Sequence, residues 1–558
     1  MFSIRRSMLN VQCSTFIFLI GITLTFFSAR PALAALFSGL LLGLAFPGTG
    51  GFWFLAWVGL VPLLVAVRRT TPGRAARLGL LTGLIQYTLL LYWIVIVLGR
   101  YGHLEWWLTL PGLGLLVLYM SGYLALFAAV MAWAGRRGGP AAWWLAPFLW
   151  VSLDWARGWM LSGMPWQDLA YSQYRILPVL QLADLAGHHG LTFLIVLVNS
   201  LVALLVAAAL PGRAGETSPS RSGDRRFPVY VFVLPVLLLA AAAITYGLLR
   251  LDRVEAMIRE APFRPVAVVQ GNIPQELKWD EKMQQETLRR YDELSGRVGH
   301  AGQEELLLVW PETALPFYPD NSPLFDELLD RIVRPRQVWL LTGAPHFEYL
   351  PPGAGATGEE YRFYNSAYLL APWGRVADRY DKQHLVPFGE YMPLRRYLPL
   401  PGPLVESIGD FTAGDRPAVL EGGGLRIGVL ICFESIFPDL ARRQVTAGAN
   451  LLVNITNDAW FGRSSAPWQH LSMAVFRAVE NRRSLARAAN TGVSALIDPG
   501  GRIIESTPLF EEAARSAELP LLTTTTFFGR FGRLFPYLCL AATAALVLLV
   551  SRREIGDR

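Results

Sequence analysis

Long apolar runs fill one part of this chain and are missing from another. Residues 31–250 hold seven, at about 32–47, 52–67, 78–98, 108–133, 142–160, 190–210 and 228–249, and an eighth covers 533–551. Several approach the roughly 20 apolar residues that cross the hydrocarbon core of a bilayer as a helix. The runs at 32–47 and 52–67 are short and meet at a tight break, Pro47 to Gly51, so they fit two spans or one re-entrant hairpin. The pattern predicts a multi-domain membrane protein with an all-α bundle of eight transmembrane helices. With 53% hydrophobic and 17% charged residues, the chain is neither disordered nor an ordinary soluble enzyme. Its 558 residues exceed what one core organises, about 250. Three cysteines exclude a disulfide scaffold.

The net charge of +7 divides unevenly. Residues 251–526 carry 35 of the 43 acidic and 28 of the 50 basic residues, a net of −7; the remainder carries +14. A basic part that is also the apolar part argues for arginines flanking membrane helices, not for a nucleic-acid surface. Arg68, Arg69, Arg74 and Arg77 follow the second run, and Arg136 and Arg137 the fourth. Arg213, Arg221, Arg225 and Arg226 separate the sixth from the seventh, and Arg552, Arg553 and Arg558 follow the eighth. Basic loops stay in the cytoplasm, and these clusters fall on alternate connections. Residues 251–526 are therefore expected outside the cytoplasm, and the C-terminus inside. The expected domains are a leader-like segment 1–30, a membrane domain 31–250, a catalytic domain 251–526 and a C-terminal helix with its tail, 527–558. Residues 1–30, with Arg5 and Arg6 before an apolar run from Thr15 to Phe27, fit a cleaved leader, an interfacial segment or a start codon assigned too early. Pro211–Pro228 reads as a cytoplasmic linker.

Residues 251–526 alternate strand and helix signals. Strand-like runs are Pro265–Gln270, Leu306–Trp310, Val338–Gly343, Tyr364–Leu370, Ile427–Cys432 and Leu451–Ile455. Helix-like runs are Glu281–Val298, Pro323–Val333, Pro438–Ala447 and Pro467–Ala489. This is an α/β domain, and in such sheets reacting groups collect at the carboxyl ends of strands. Three candidates stand there: Glu312 after Leu306–Pro311, Cys432 after Ile427–Ile431, and Lys382, which follows Tyr380 and Asp381. Each also has an ordinary reading, as a loop carboxylate, a small buried hydrophobe and a solvated cation. Lys382 is one of only three lysines, with Lys278 and Lys282, in a chain that otherwise uses arginine. Cys13 and Cys539 lie in the apolar ends, which leaves Cys432 without a partner in its compartment. Together a carboxylate, an ammonium and a thiol make an acyl-transfer set: base, oxyanion stabiliser and nucleophile. The chain carries no zinc spacing, phosphate loop or dinucleotide fingerprint.

Trp310-Pro311-Glu312, Asp381-Lys382 and Ile431-Cys432-Phe433-Glu434 resemble the nitrilase, or carbon–nitrogen hydrolase, superfamily. Gln270–Gln275, Lys278-Trp279-Asp280, Pro387–Tyr391 and Asn454–Phe461 are similar to the apolipoprotein N-acyltransferase family, as are Pro165-Trp166 and Tyr171–Gln173 in the membrane part. The resemblance implies a nitrilase-like αββα sandwich and a bacterial inner-membrane enzyme with a periplasmic catalytic domain. It implies transfer of an acyl chain from a phospholipid, commonly phosphatidylethanolamine, to the N-terminal amine of an S-diacylglyceryl-cysteine lipoprotein. Cys432 would be the nucleophile, Glu312 the base and Lys382 the oxyanion stabiliser, with Glu390 supporting the lysine. Trp279, Phe433, Glu434, Tyr391 and Trp460 would bind substrate or form a lid. Phe433 stands where better-known members have tyrosine. No metal, cofactor or nucleic acid is expected, and the chain is expected to act as a monomer. Segments Leu315–Pro319, Tyr391–Tyr397 and Trp460–Gly462 offer an apolar mouth toward the outer leaflet. A membrane-tethered amidase using water, or a transporter with an inactive domain, are the rival readings.

Overall fold

The computed structural model describes residues 30–68, 70–209, 230–298, 306–350, 361–393, 411–415 and 419–556. The leader-like segment, the linker and the tip of the Tyr391–Tyr397 segment lie outside them. The apolar runs form helices α1 (Pro31–Leu44), α2 (Val61–Val67), α3 (Pro72–Leu91), α4 (Trp106–Gly138), α5 (Leu145–Arg157), α6 (Ala183–Ala209) and α7 (Tyr230–Glu260). The helices pack closely through small residues. A methyl group on Gly79 of α3 would stand 2.3 Å from the Leu124 carbonyl of α4, and one on Gly83 would meet Ser121.

Among the described residues, fewer than eight helices have full spanning length. Four of them are long and apolar enough to cross a membrane: those at 106–138, 183–209, 231–260 and 534–552. The bent pair Pro72–Leu91 and Ile94–Tyr101, 56° apart, would make a fifth. The first run ends its helix at Leu44, the second is interrupted by the turn at Val58–Leu60, and the fifth stops at Gly158. The 14 residues of α1 and 13 of α5 rise about 20 Å against a core of about 30 Å. Helix α7 continues through residue 250, so one unbroken helix leads from the bundle into the next domain.

That domain contains two six-stranded sheets. The first has the order β12-β1-β2-β3-β4-β5 and the second β11-β10-β9-β8-β7-β6. In chain order the strands are β1 (Phe263–Gln270), β2 (Leu307–Val309), β3 (Trp339–Tyr349), β4 (Tyr361–Ala371), β5 (Arg375–Asp381), β6 (Val419–Gly422), β7 (Leu425–Ile431), β8 (Leu451–Thr456), β9 (Ser484–Ala489), β10 (Ala495–Ile497), β11 (Ile503–Ser506) and β12 (Ala513–Pro520). Alternation along each strand sorts the side chains. Val266 and Val268 of β1 meet Ile427, Val429 and Ile455 of the other sheet, in the core between the two. Ala267 and Val269 face outward onto α8 (Glu281–Gly296) through Leu288, Tyr291 and Leu294. The outer face of the second sheet is covered by α9 (Pro438–Thr446) and α10 (Ala466–Asn481), whose cluster continues without interruption into the membrane helices. The chain returns to the bundle in α11 (Leu534–Gly556).

One predicted helix is shorter than its run suggested. Pro467–Ala489 was expected to be helical throughout, but α10 stops at Asn481, where Arg482 turns left-handed at φ 50°. Ser484–Ala489 then forms β9, parallel to β8. An alanine- and arginine-rich stretch has helix propensity, and pairing in a buried sheet overrides it.

Candidate active site

The reactive residues stand where three strands end. Trp310 anchors the first turn: fully buried, it stacks on Tyr291 at 4.7 Å and donates from Nε1 to Ser295 Oγ at 3.1 Å. Gly343 lets the Glu312 turn lie against β3, since a methyl group there would stand 2.4 Å from the Thr313 nitrogen. Lys382 follows β5, its backbone N–H donating to the Asn365 carbonyl at 2.9 Å. Cys432 follows β7 and opens the tight helical turn Cys432–Ile436, with its own φ at +52°. A non-glycine residue in that region is strained and is held by its surroundings. Here Ser435 Oγ donates to the Cys432 carbonyl at 3.0 Å, and His470 Nε2 lies 3.1 Å from the same oxygen.

The three residues come together around one carboxylate pair. Lys382 Nζ lies 2.8 Å from Glu390 Oε1 and 3.6 Å from Glu312 Oε1. Asn365 Nδ2 bridges the acids, donating to Glu312 at 2.7 Å and to Glu390 at 2.9 Å. The second Glu312 oxygen accepts from the Asn457 backbone N–H at 2.8 Å, and Glu390 Oε2 from Val386 N–H at 2.8 Å. Burial alone would discharge the Lys382 ammonium, but Glu390, Glu312 and Cys432 outweigh it and hold its pKa above the usual lysine range. Burial and Glu312 push the Cys432 thiol up, against the pull of Lys382, so a proton acceptor is needed before it can attack.

The remaining expected residues separate. Trp279 is exposed beside the short turn Gln275–Leu277. Phe433 packs on Phe437 at 5.3 Å and lies 6.0 Å from His384, whose imidazole burial lowers to about 4. Tyr391 Oη is 3.0 Å from Ser162 Oγ in the membrane part, and Trp460 meets Tyr101 edge-on at 5.4 Å. Phe461 likewise packs on Trp93 at 4.8 Å and Trp166 at 6.1 Å. Leu315 and Phe317 belong to the core under α8 instead of a mouth. Glu434, expected as a substrate or lid residue, is wholly inside the domain. It accepts from the backbone of Ile431 at 2.7 Å, Gln383 at 2.7 Å and His384 at 3.1 Å, and from the Tyr380 hydroxyl at 3.0 Å. It thereby ties the Cys432 turn to the Lys382 loop. Burial raises its pKa to about 7, opposed by those backbone donors and Lys382.

Sequence reasoning gave no catalytic role to six residues now in place. Asn365 was hidden in an apolar strand, although a polar residue between buried neighbours was a signal. Lys278 is buried, donates to the Glu312 carbonyl at 3.0 Å, and is pushed down to about 8 by burial. Beneath Cys432, Ser435 Oγ, His470 and Asp458 form a line, at 2.8 Å to Nε2 and 3.0 Å from Nδ1 to Oδ1, and Arg487 closes on Asp458 at 2.7 Å.

Residues 265–527 match the carbon-nitrogen hydrolase family model, and residues 38–201 the model of the apolipoprotein N-acyltransferase N-terminal domain. A solved amidase from Nesterenkonia sp. AN1 is 23% identical, with TM-score 0.34 over 47% of this chain and 92% of that one. The fold and the strand-end carboxylate, lysine and cysteine thus define a carbon–nitrogen hydrolase domain built onto apolar helices. The apolipoprotein N-acyltransferase of Geobacter metallireducens is 45% identical over 94% of this chain and 96% of its own length. That of Chlorobaculum tepidum is 31% identical, covering 94% and 97%. The chain belongs to the apolipoprotein N-acyltransferase family, and is a membrane-associated acyltransferase.

Proposed function

We propose that the enzyme transfers an acyl chain from a phospholipid, phosphatidylethanolamine in the first instance, to the α-amine of an S-diacylglyceryl-cysteine lipoprotein. The observation that carries this reading is the convergence of Glu312, Lys382 and Cys432 in a domain packed directly on apolar helices. Glu312 takes the thiol proton as Cys432 Sγ attacks the donor's ester carbonyl. The Lys382 ammonium, held by Glu390, faces the oxyanion. Collapse breaks the ester C–O bond, the glycerol oxygen leaves with the proton from Glu312, and a thioester remains. The lipoprotein amine then attacks that carbonyl and gives a proton to Glu312. The C–S bond breaks, the amide is released and the thiol is restored.

The finer topology belongs to the same reading. Eight membrane passes, counting the short helices α1, α2 and α5, put the arginine clusters on alternate, cytoplasmic connections. The catalytic domain, 251–526, would then be periplasmic and the C-terminus cytoplasmic, in the inner membrane of a bacterium, with the chain working as a monomer. Trp279, Phe433, Tyr391 and Trp460 would line the lipid path, and Glu434 would position the nucleophile turn.

Incubation with isotope-labelled phosphatidylethanolamine and a diacylated lipopeptide tests the reaction. Mass analysis should find one acyl group on Cys432 and then on the peptide amine, with both signals absent from Cys432→Ala. An acyl group on another residue, or free fatty acid as the sole product, would overturn it.

A further inference from the structure

A lysine is rarely buried without an acidic partner. Lys278 is 3% exposed, and it forms no ion pair among the described residues. The acids beside it in the chain are engaged elsewhere. Glu276 pairs with Arg100 at 2.9 Å, and Asp280 accepts from the Lys282 backbone N–H at 3.0 Å. The Lys278 ammonium makes one hydrogen bond, to the Glu312 backbone carbonyl at 3.0 Å. Its other two donors have no partner among the described residues.

The arm that carries Lys278 is fixed to the same turn. Gln275 Oε1 accepts from Asn457 Nδ2 at 2.6 Å, and the Asn457 backbone N–H holds Glu312 Oε2 at 2.8 Å. Lys278 is thereby kept within Coulombic reach of both Glu312 and Cys432.

Counting charges shows what this placement does. Glu312 and Glu390 bring two negative charges to the centre, and Lys382 brings one positive charge. With these alone the buried site carries an excess negative charge, which opposes a thiolate or an oxyanion. Lys278 brings the sum to zero. Transfer of the Cys432 proton to Glu312 moves a charge without changing that sum, and so does formation of the oxyanion when Sγ attacks. The other titratable groups packed on the Cys432 turn are already satisfied. Asp458 is closed by Arg487 at 2.7 Å, and Glu434 accepts from the backbone N–H groups of Ile431, Gln383 and His384. Burial pushes His470 and His384 toward the neutral form. Burial also pulls Lys278 down to about 8, so its charge is present at pH 7 and fades as pH rises through 8.

We propose that Lys278 is a positioning residue of the catalytic centre, the second cation that balances Glu312 and Glu390 and so favours the Cys432 thiolate and the oxyanion formed from it. The oxyanion part rests on the acyl-transfer reading; the thiolate part does not.

Alkylation of Cys432 by iodoacetamide tests it, read by peptide mass mapping on the full-length protein in detergent. The rate follows the thiolate whatever the acyl donor is. Lys278→Met should alkylate about tenfold or more slowly than wild type at neutral pH, the factor for a change of about one unit in the thiol pKa. Lys278→Gln keeps a donor for the Glu312 carbonyl but no charge, and should behave as Lys278→Met. Lys278→Arg keeps the charge and should recover most of the rate. The wild-type advantage over Lys278→Met should shrink as pH rises through 8, while that of Lys278→Arg persists. A wild-type rate in Lys278→Met overturns the proposal. So does recovery in Lys278→Gln, which would make Lys278 a hydrogen-bonding clasp, or an equal loss in all three variants with lowered unfolding midpoints, which would assign it to the fold. Acylation by labelled phosphatidylethanolamine should fall in parallel, through kcat with KM nearly constant. If the acyl-transfer reading fails, that labelling is missing from wild type as well, and the differences in alkylation remain.

Discussion

Two of the buried charge clusters among the described residues are built to different ends. At the catalytic centre Lys382, Glu312, Glu390 and Asn365 sit on strand ends and loops, around a thiol held in left-handed backbone. At the junction with the membrane helices, charges sit on helices and cancel in pairs. Arg482 closes on Asp184 at 2.7 Å, Asp184 also accepts from Tyr246 at 2.7 Å and Arg250 at 2.6 Å, and Arg477 closes on Glu480 at 2.9 Å. Glu480 in turn accepts from the His188 backbone N–H at 3.0 Å, freed because α6 breaks at Ala186 and Gly187. A methyl group on Gly187 would meet the Phe528 ring at 2.8 Å, so the break and the packing depend on the same small residue. The junction satisfies its charges internally and fixes how the domain sits on the helices. The proposed catalytic centre leaves the sulfur and part of the ammonium without a protein partner among the described residues. Burial alone therefore does not mark function; the open valences do.

The contrast can be broken at its reactive end first. Lys382→Arg keeps the charge but cannot place a compact ammonium beside Glu390 and Glu312, and should lower the acylation rate roughly 10²–10³-fold in single-turnover labelling. Near-normal labelling would remove the oxyanion role. At the junction, Arg482→Met leaves Asp184 with less compensation in a buried site and should cost about 3–5 kcal/mol, read as a lower unfolding midpoint in detergent. An unchanged midpoint would make the junction charges dispensable.

Smaller effects sharpen the comparison. His470→Ala removes support from the Cys432 carbonyl, and the displaced nucleophile should lose up to about 10²-fold in kcat with KM nearly constant. Equal changes in both would mean His470 serves the fold only. The smallest effect is the pH response of Glu434. Its folded pKa, about 7, exceeds the ordinary carboxylate value, so the folded state binds the extra proton between roughly pH 4.5 and 7. Its contribution to stability is present below that window and fades as pH rises through 7. Glu434→Gln should flatten that slope in unfolding measurements; a slope equal to wild type would assign it to another group.

Much of the catalytic centre was legible because it follows a local rule: an apolar strand runs out and a reactive residue follows. Glu312 and Cys432 were visible in that way, and Lys382 stood out as one of three lysines. The junction was not legible. Arginines 477, 482 and 487 look like any charged helix and strand residues, yet all are fully buried. Their burial follows from α10 lying between a sheet and a helical bundle, a placement that no local pattern records. The lengths of the individual spans were hidden for a related reason. Apolar length does not equal helix length, because turns at Val58–Leu60 and Gly158 and the bend after Leu91 divide the runs.

The sequence by itself determined the division into an apolar, basic part and a charged α/β part, the strand periodicity and the candidate triad. Each of these depends on neighbours a few residues apart. Tertiary contacts alone established that Asn365 joins two carboxylates, that Lys278 reaches the Glu312 carbonyl, that Glu434 supports the Cys432 turn from inside, and that Ser484–Ala489 is a strand. Those facts depend on residues far apart in the chain, whose meeting is fixed by which faces the two sheets and the membrane helices bury against each other.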